Sequence, residues 1–303
     1  RSNNNDNNFT VSLSETTDGG VTISSSFMLA NETMAGTDGD AGFTLAFTDG
    51  SKLDIINAGN ASGSHDISVP ASAGAEGITV TTTNKAPTGL DFAAGSTQFG
   101  VEYHTAEDFM MDGLKMSFSA STDNGANASG TYKVDGHYAI GATYVTTAGD
   151  TTVTIGAGLS ETEGAVTGTN PSEDEGGVHL GISAVTGDLT VAIGFADGDS
   201  IESTTASTPA VQVDGEVVKA GVKYVTGDLT FNVGVTSAEG IDNAFSGTGT
   251  TADAYDKTSA SVSYAVASGV TAILGYSDIE SQNEGAADSK DGSAWFIGAN
   301  MSF

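Results

Sequence analysis

The sequence has no cysteine, only 4 prolines and 1 tryptophan, and its 9 basic residues stand against 39 acidic ones. Without thiols there is no disulfide framework, no cysteine zinc cluster and no thiolate nucleophile. A formal net charge of −30 speaks against nucleic-acid binding, because displacing counterions from phosphates needs a basic face. No apolar run approaches the roughly 18 residues a transmembrane helix requires. Residues 1–10, RSNNNDNNFT, carry no signal-peptide pattern and read as the interior of a processed or trimmed chain. Hydrophobic residues make up 38% while glycines number 41, a composition that first suggests disorder. The scarcity of proline and the ordered recurrence of apolar residues point instead to regular structure without a large dry core.

What recurs is a stretch of alternating apolar and polar residues ended by a Gly/Asp break, the signature of strands joined in hairpins. The spacing predicts strands at 8–15, 20–30, 42–48, 52–56, 97–104, 113–121, 131–145, 150–160, 177–185, 189–197, 216–225, 229–238, 258–267, 269–279 and 293–303. Their connections alternate strictly between short and long. Short turns fall at 16–20, 48–51, 105–113, 146–150, 186–188, 226–228 and 267–269; long polar loops fall at 31–41, 57–95, 122–130, 161–176, 199–215, 239–257 and 280–292. Up-and-down hairpins connected this way put every short turn at one end and every long loop at the other, as outer-membrane barrels do and Greek-key sandwiches do not. The fold class expected is therefore all-β: a transmembrane antiparallel up-and-down β-barrel in a single domain, 1–303.

Single-chain bacterial barrels have even strand numbers, so sixteen strands are expected where fifteen are read. Either one further strand precedes Arg1, or a strand within 57–95, such as ITVTT at 78–82, escapes the pattern.

Side-chain parity assigns the faces. Tyr138, Ile140, Ala142 and Tyr144 oppose Lys133, Asp135 and His137; Phe99, Val101 and Tyr103 oppose Glu102 and His104; Val218, Ala220, Val222 and Tyr224 oppose Lys219 and Lys223; Leu53 and Ile55 oppose Lys52 and Asp54; Leu114, Met116 and Phe118 oppose Lys115. The polar face is rich in Ser, Thr and Gly, as a wet interior requires. The apolar face ends in aromatics at both rims: Phe47, Tyr103, Tyr144, Tyr224 and Phe303 at the short-turn end, Phe27, Phe195, Tyr276 and Trp295 at the loop end. Paired aromatic girdles flanking an apolar band mark the two interfaces of a membrane.

The chain resembles the Gram-negative general (trimeric) porins, in the form typical of alphaproteobacteria. Three stretches carry the resemblance. NFTVSLSETTDGGVTISSSF (8–27) looks like the second and third strands with their T-x-D-x-G turn; 57–95 has the place and length of the third loop; AWFIGANMSF (294–303) looks like the last strand with its terminal Phe303. The resemblance implies a homotrimer in outer-membrane lipid and lipopolysaccharide, passive diffusion of small solutes and ions, and a loop 57–95 folded into the pore. It implies that Phe303 belongs to the signal read by the barrel-assembly machinery. The chain departs from the family in two respects: its sole arginine is Arg1, and no Pro-Glu-Phe-Gly signature lies within 57–95. Candidates for the constriction are Asp66, Glu76 and Asp91 on the loop, with His65 and Lys85 beside them, and Lys52, Asp54, Glu102, Lys115, Lys133, Asp135, Lys219 and Lys223 on the wall. Each also reads as an ordinary solvated side chain of the lumen.

Catalysis is not expected, since the four histidines (65, 104, 137 and 179) fall on separate strands or loops with no nucleophile and acid spaced beside them. No cofactor is required. Acidic loop clusters offer oxygen ligands for Ca²⁺ at Asp38, Asp40, Glu173, Asp174, Glu175, Asp197 and Asp199, with ADSKD (287–291) as a further cluster, although none has EF-hand spacing. Together these carboxylates create a negative potential over the mouth that enriches cations. The alternative from another class is a secreted or surface acidic β-rich calcium-dependent binding or adhesion protein.

Overall fold

A computed structural model of the chain describes residues 8–30, 42–55, 60–71, 100–122, 133–165, 175–202, 211–240, 253–282 and 290–301. All fifteen expected strands are present. They are β1 (Asn8–Thr16), β2 (Thr22–Ala30), β3 (Phe43–Ala46), β4 (Lys52–Ile55), β5 (Gly100–His104), β6 (Leu114–Thr122), β7 (Lys133–Ala148), β8 (Thr151–Ala165), β9 (Glu175–Thr186), β10 (Leu189–Glu202), β11 (Val211–Thr226), β12 (Leu229–Gly240), β13 (Asp253–Ala267), β14 (Val270–Gln282) and β15 (Lys290–Met301). They form one sheet in sequence order, each strand antiparallel to the next. This is the up-and-down order expected of a barrel, and short and long connections alternate except that the β5–β6 turn at 105–113 is as long as or longer than the connections at 166–174, 203–210 and 283–289. Several strands run further toward the loop end than the hydrophobic pattern suggests. Val211–Asp214 and Asp253–Lys257, for example, extend β11 and β13 with residues whose polarity reads as loop. Antiparallel pairing continues past the apolar band because the backbone ladder stabilises a strand whatever its side chains face. The readings of a strand at 78–82 or before Arg1 lie outside the described residues.

Turn chemistry sets the registers. In the two-residue loops Gly187–Asp188 and Gly227–Asp228, the first residue has φ of +55°, the left-handed conformation a type II′ turn requires and only glycine adopts cheaply. Such a turn matches strand twist, so Thr186 pairs directly with Leu189 and Thr226 with Leu229.

The distribution of side chains is the reverse of a soluble domain. Among the described residues the buried apolar side chains are few and mostly small, such as Ala61, Ala192, Ala196, Val217 and Ala238, whereas buried polar ones include Glu102, His104, Ser117, His137, Thr162 and His179. Large apolar side chains lie on the opposite, exposed face: Leu180, Ile193, Val222, Phe231, Val233 and Trp295 among them. Burial of apolar area is the main force of folding in water, and a sheet that turns its aliphatic face outward forgoes it. The outer solvent must therefore be apolar. Both rims carry the expected aromatics, with Phe47, Tyr103 and Tyr224 exposed at the short-turn end and Phe195 and Trp295 at the loop end. Tyr276 and Trp295 are cross-strand partners with ring centroids 4.7 Å apart. Phe27 and Phe303 have no described side chain.

One parity assignment changes. The register of β7 on β8 shifts between Val134 and Gly136, a bulge at Asp135. A bulge breaks the two-residue repeat, so counting back from His137 no longer fixes the face of Lys133.

Opposite outcomes are expected for one charge on the two faces. Ile193→Arg, on the apolar side of β10, should reduce folding into lipid by about 2–4 kcal/mol. Ser183→Arg, on the polar side of β9, should fold like the parent. Urea titration in lipid vesicles, read by the heat-modifiable gel shift, compares them; equal stabilities would refute the face assignment.

Candidate functional site

The chain after β4 returns against the polar face of the sheet, and this contact identifies the inner side. Residues 60–71 lie along the wall, with a short 3-10 turn at Gly63–His65. The Ala61 N–H donates to Ser119 Oγ at 3.0 Å, and the Ser64 hydroxyl donates to Glu102 Oε1 at 2.7 Å. His65 is held at both ring nitrogens, Nδ1 2.7 Å from Thr143 Oγ1 and Nε2 2.7 Å from Ser117 Oγ. His179 reaches the same segment from β9: its Nε2–H donates to the Ser62 carbonyl at 2.9 Å, and its Nδ1 lies 3.1 Å from Asp66 Oδ1.

Close approach of two backbones is possible because the wall is stripped of side chains where the segment lies. A Cβ at Gly141 would overlap the Ala61 carbonyl and the His65 ring; at Gly156, the His65 carbonyl; at Gly158, the His179 ring and the Ser62 hydroxyl; at Gly181, Ile67; at Gly221 and Gly234, the Pro70 carbonyl. These glycines face one another across the ladder, Gly141 opposite Gly158, Gly156 opposite Gly181 and Gly221 opposite Gly234. Together they form a shallow track across β7–β12 that only glycine permits.

Beside the track sits a charged block. Lys52 and Asp54 on β4 pair in register with His104 and Glu102 on β5. His104 Nε2 lies 3.2 Å from Asp54 Oδ2 and 3.4 Å from Glu102 Oε1, and Lys52 Nζ lies 3.1 Å from Asp54 Oδ2. Thr44 donates a hydroxyl hydrogen bond to Asp54 Oδ1. Ser117 Oγ stands 2.7 Å from His104 Nδ1, so one hydroxyl links His104 to His65. A cavity of about 750 Å³ opens alongside, lined in part by Lys52, His65, His104, Glu107 and Lys115.

Of the expected constriction residues, Lys52, Asp54 and Glu102 are thus brought together, Lys115 lines the adjoining cavity, and Asp66 stands midway along the segment beside His179. Lys219 is half-buried on β11, whereas Lys223 is exposed further along the same strand. Glu76, Asp91 and Lys85 lie outside the described residues, as do Asp38, Asp40, Glu173, Asp174 and Phe303. Lys133, Asp135, Glu175 and Asp199 fall in strands but have no described side chains. The four histidines do fall on separate strands and a loop, and the fold brings three of them, His65, His104 and His179, together at one segment. Asp54, His104 and Ser117 even stand in the carboxylate–imidazole–hydroxyl order of serine hydrolases. Ser117, however, is fully buried and shared with His65. Its two imidazole contacts join the segment to the wall. Glycines repeating at inward parity on successive strands were the signal available in the sequence.

Burial, reinforced by the nearby basic groups of His104, Lys115 and His179, pushes the His65 pKa down to about 4 from an ordinary 6.5. A detached His65 would protonate below pH 6.5 while the docked one resists until about 4. Docking is therefore at full strength above pH 6.5 and weakens as the pH falls between these values. Single-channel noise should rise across that window and stay flat above it, and His65→Gln should abolish the dependence. Independently, Gly221→Val should cost roughly 1–3 kcal/mol by overpacking and dislodge Pro70, raising mean conductance without loss of the heat-modifiable barrel. Unchanged conductance would refute the glycine track.

No curated protein matches the chain at significant similarity. Solved structures do match over nearly its whole length. A porin refined at 1.8 Å resolution is 18% identical, with a TM-score of 0.62 over 98% of this chain and 92% of its own. The trimer form of OmpT from Vibrio cholerae is 13% identical, with a TM-score of 0.57 over 98% and 91%. An anion-selective porin from Comamonas acidovorans is 12% identical, with a TM-score of 0.59 over 98% and 89%. At these identities the likeness establishes the fold. The family model for Gram-negative porins matches residues 1–284. The chain belongs to the Gram-negative porin family and is an integral outer-membrane β-barrel channel.

Proposed function

We propose that this channel passes small hydrophilic solutes and ions by passive diffusion and prefers cations, with the connection between β4 and β5 narrowing the lumen. The observation that carries the reading is segment 60–71 docked on the inner wall beside a cavity that holds both signs of charge. Around it stand Asp54, Glu102, Asp66, Glu107 and Asp108 against Lys52 and Lys115, five carboxylates to two ammonium groups, so the local field leans negative. The formal charge of −30 adds to it, because an acidic mouth raises the local concentration of cations. The shared fold does not set the sign of selectivity, since one of the similar structures is an anion-selective porin. No catalytic step is assigned. The adhesion-protein alternative draws on no feature of the fold.

Assembly as a homotrimer, insertion through the barrel-assembly machinery by way of Phe303, and contact with lipopolysaccharide complete the proposal. A trimeric form among the structures of this fold supports the first. The acidic rim bears on the last. Asp197, Glu216 and Glu239 are in-register neighbours across β10–β12, as are Asp256, Glu280 and Asp291 across β13–β15. All six are exposed toward the loop end. Like charges set about 5 Å apart repel, and Ca²⁺ shared with lipid phosphates would relieve them; purified protein devoid of calcium would refute that part.

Reversal potentials in a KCl gradient across a planar bilayer test the selectivity. The expected sign is that of cation preference, weakening as salt rises and the field is screened. Clear anion preference at low salt would overturn it.

A further inference from the structure

The block at the β4–β5 pair carries more than a wall charge. Asp54 and Glu102 are directly opposed in register, and Glu102 is only 3% exposed. Two carboxylates facing each other at a buried position demand a cation between them. The group that enters is the imidazole of His104, whose Nε2 points at both: 3.2 Å to Asp54 Oδ2 and 3.4 Å to Glu102 Oε1. The three atoms lie within 4.8 Å of one another.

We propose that Asp54, Glu102 and His104 form a binding site for a divalent first-row transition ion of the Zn²⁺ class, set in the pore wall beneath the docked segment. Nitrogen and oxygen ligands at about 2.0–2.1 Å from a tetrahedral ion stand about 3.3–3.4 Å from each other. The two measured separations are already of that size. An imidazole ligand selects Zn²⁺ or Co²⁺ over Ca²⁺ and Mg²⁺, which take oxygen. The supporting shell is built as well. Thr44 donates to the Asp54 oxygen that faces away from His104, Ser64 donates to Glu102, and Ser117 holds His104 Nδ1 and so fixes the ring. Hydroxyl and carboxylate partners of this kind orient metal ligands generally. Three protein ligands leave a fourth position, and the cavity beside His104 supplies water to it. Lys52 competes, its Nζ being 3.1 Å from Asp54 Oδ2. Its side chain is 43% exposed and free to swing into the lumen.

Lys52 also gives the test an opposite sign. Detergent-purified trimer is loaded with Zn²⁺ or Co²⁺ and desalted, and its metal content is measured. The proposal expects one ion retained per chain and visible absorption bands of tetrahedral Co²⁺. It expects loss of both in Glu102→Gln and His104→Asn, affinity weakened about tenfold in Ser64→Ala, and affinity increased in Lys52→Gln. The heat-modifiable gel shift confirms that each variant is folded. Lys52→Gln and Ser64→Ala keep all three ligands, so the opposed pair remains informative should a ligand variant misfold. No retained ion in the parent, retention undiminished in folded Glu102→Gln, or a Lys52→Gln that binds no better than the parent would each overturn it. The assay needs no conductance, so its failure leaves the channel reading intact.

Discussion

A backbone amide in hydrocarbon has no water to bond, and every other property of this chain follows from meeting that demand with a ladder of antiparallel strands. The ladder satisfies the backbone whatever the side chains are, and in return it forces them to alternate. One face meets lipid and the other meets water. Charge on the lipid-facing parity is therefore restricted in depth. Asp197, Glu216, Glu239, Asp256, Glu280 and Asp291 share that parity with Ile193, Val218 and Ile297, yet all lie near the loop ends of their strands. Aromatic side chains such as Phe195 and Trp295 separate them from the aliphatic band. The same parity thus carries leucine at one height and glutamate at another, each matched to the solvent at its level.

The inward face meets a second backbone as well as water. A segment lying against a wall of ordinary side chains would be held off by their Cβ atoms and lose van der Waals contact steeply with distance. Glycine at the opposed positions removes that obstacle, and it leaves the segment's own polar groups within reach of wall hydroxyls and imidazoles. The resulting hydrogen bonds join sequence-distant elements: Ala61 with β6, His65 with β6 and β7, Ser62 with β9. Glycine weakens a strand locally by roughly 0.5–1 kcal/mol relative to alanine. Pairing with neighbouring strands on both sides offsets that loss, so the cost of the track falls on a part of the sheet that can bear it.

How much of this the sequence discloses depends on the range of the interaction. Strand existence, order and facing come from a two-residue repeat and from turn residues such as Gly187 and Gly227, all local features, and they are legible. Strand ends are less so: Val211–Asp214 and Asp253–Lys257 look like loop because their composition is polar, and the backbone pairing that makes them strand leaves no mark on composition. The bulge at Asp135 is invisible for a related reason, since one inserted residue reverses the parity behind it without altering the pattern ahead. The wall charges Lys52, Asp54 and Glu102 were identified as luminal by parity alone. Their meeting with the docked segment, through Ser64 and Glu102, was not, because it depends on where a long connection comes to rest. A row of glycines at matched heights on β7, β8, β9, β11 and β12 does record that resting place, but it becomes readable only when the registers are known.

Register also explains why acidic residues recur in opposed pairs. Fixing the faces fixes which residues stand about 5 Å apart across the ladder, and the excess of carboxylates makes like-charge neighbours unavoidable. Their resolution differs with solvent. At the rim, Asp197, Glu216 and Glu239 are open to bulk water, where high dielectric and mobile ions reduce their repulsion to a small term. In the wall, Glu102 is buried and Asp54 half-buried, and bulk screening does not reach them; the Lys52 ammonium and the His104 imidazole lie against the pair instead. A carboxylate pair held apart by an imidazole and a mobile ammonium is under-neutralised by construction. Such a block leaves unbalanced negative charge on the inner face of the sheet. The register that builds the barrel thereby builds the field inside it.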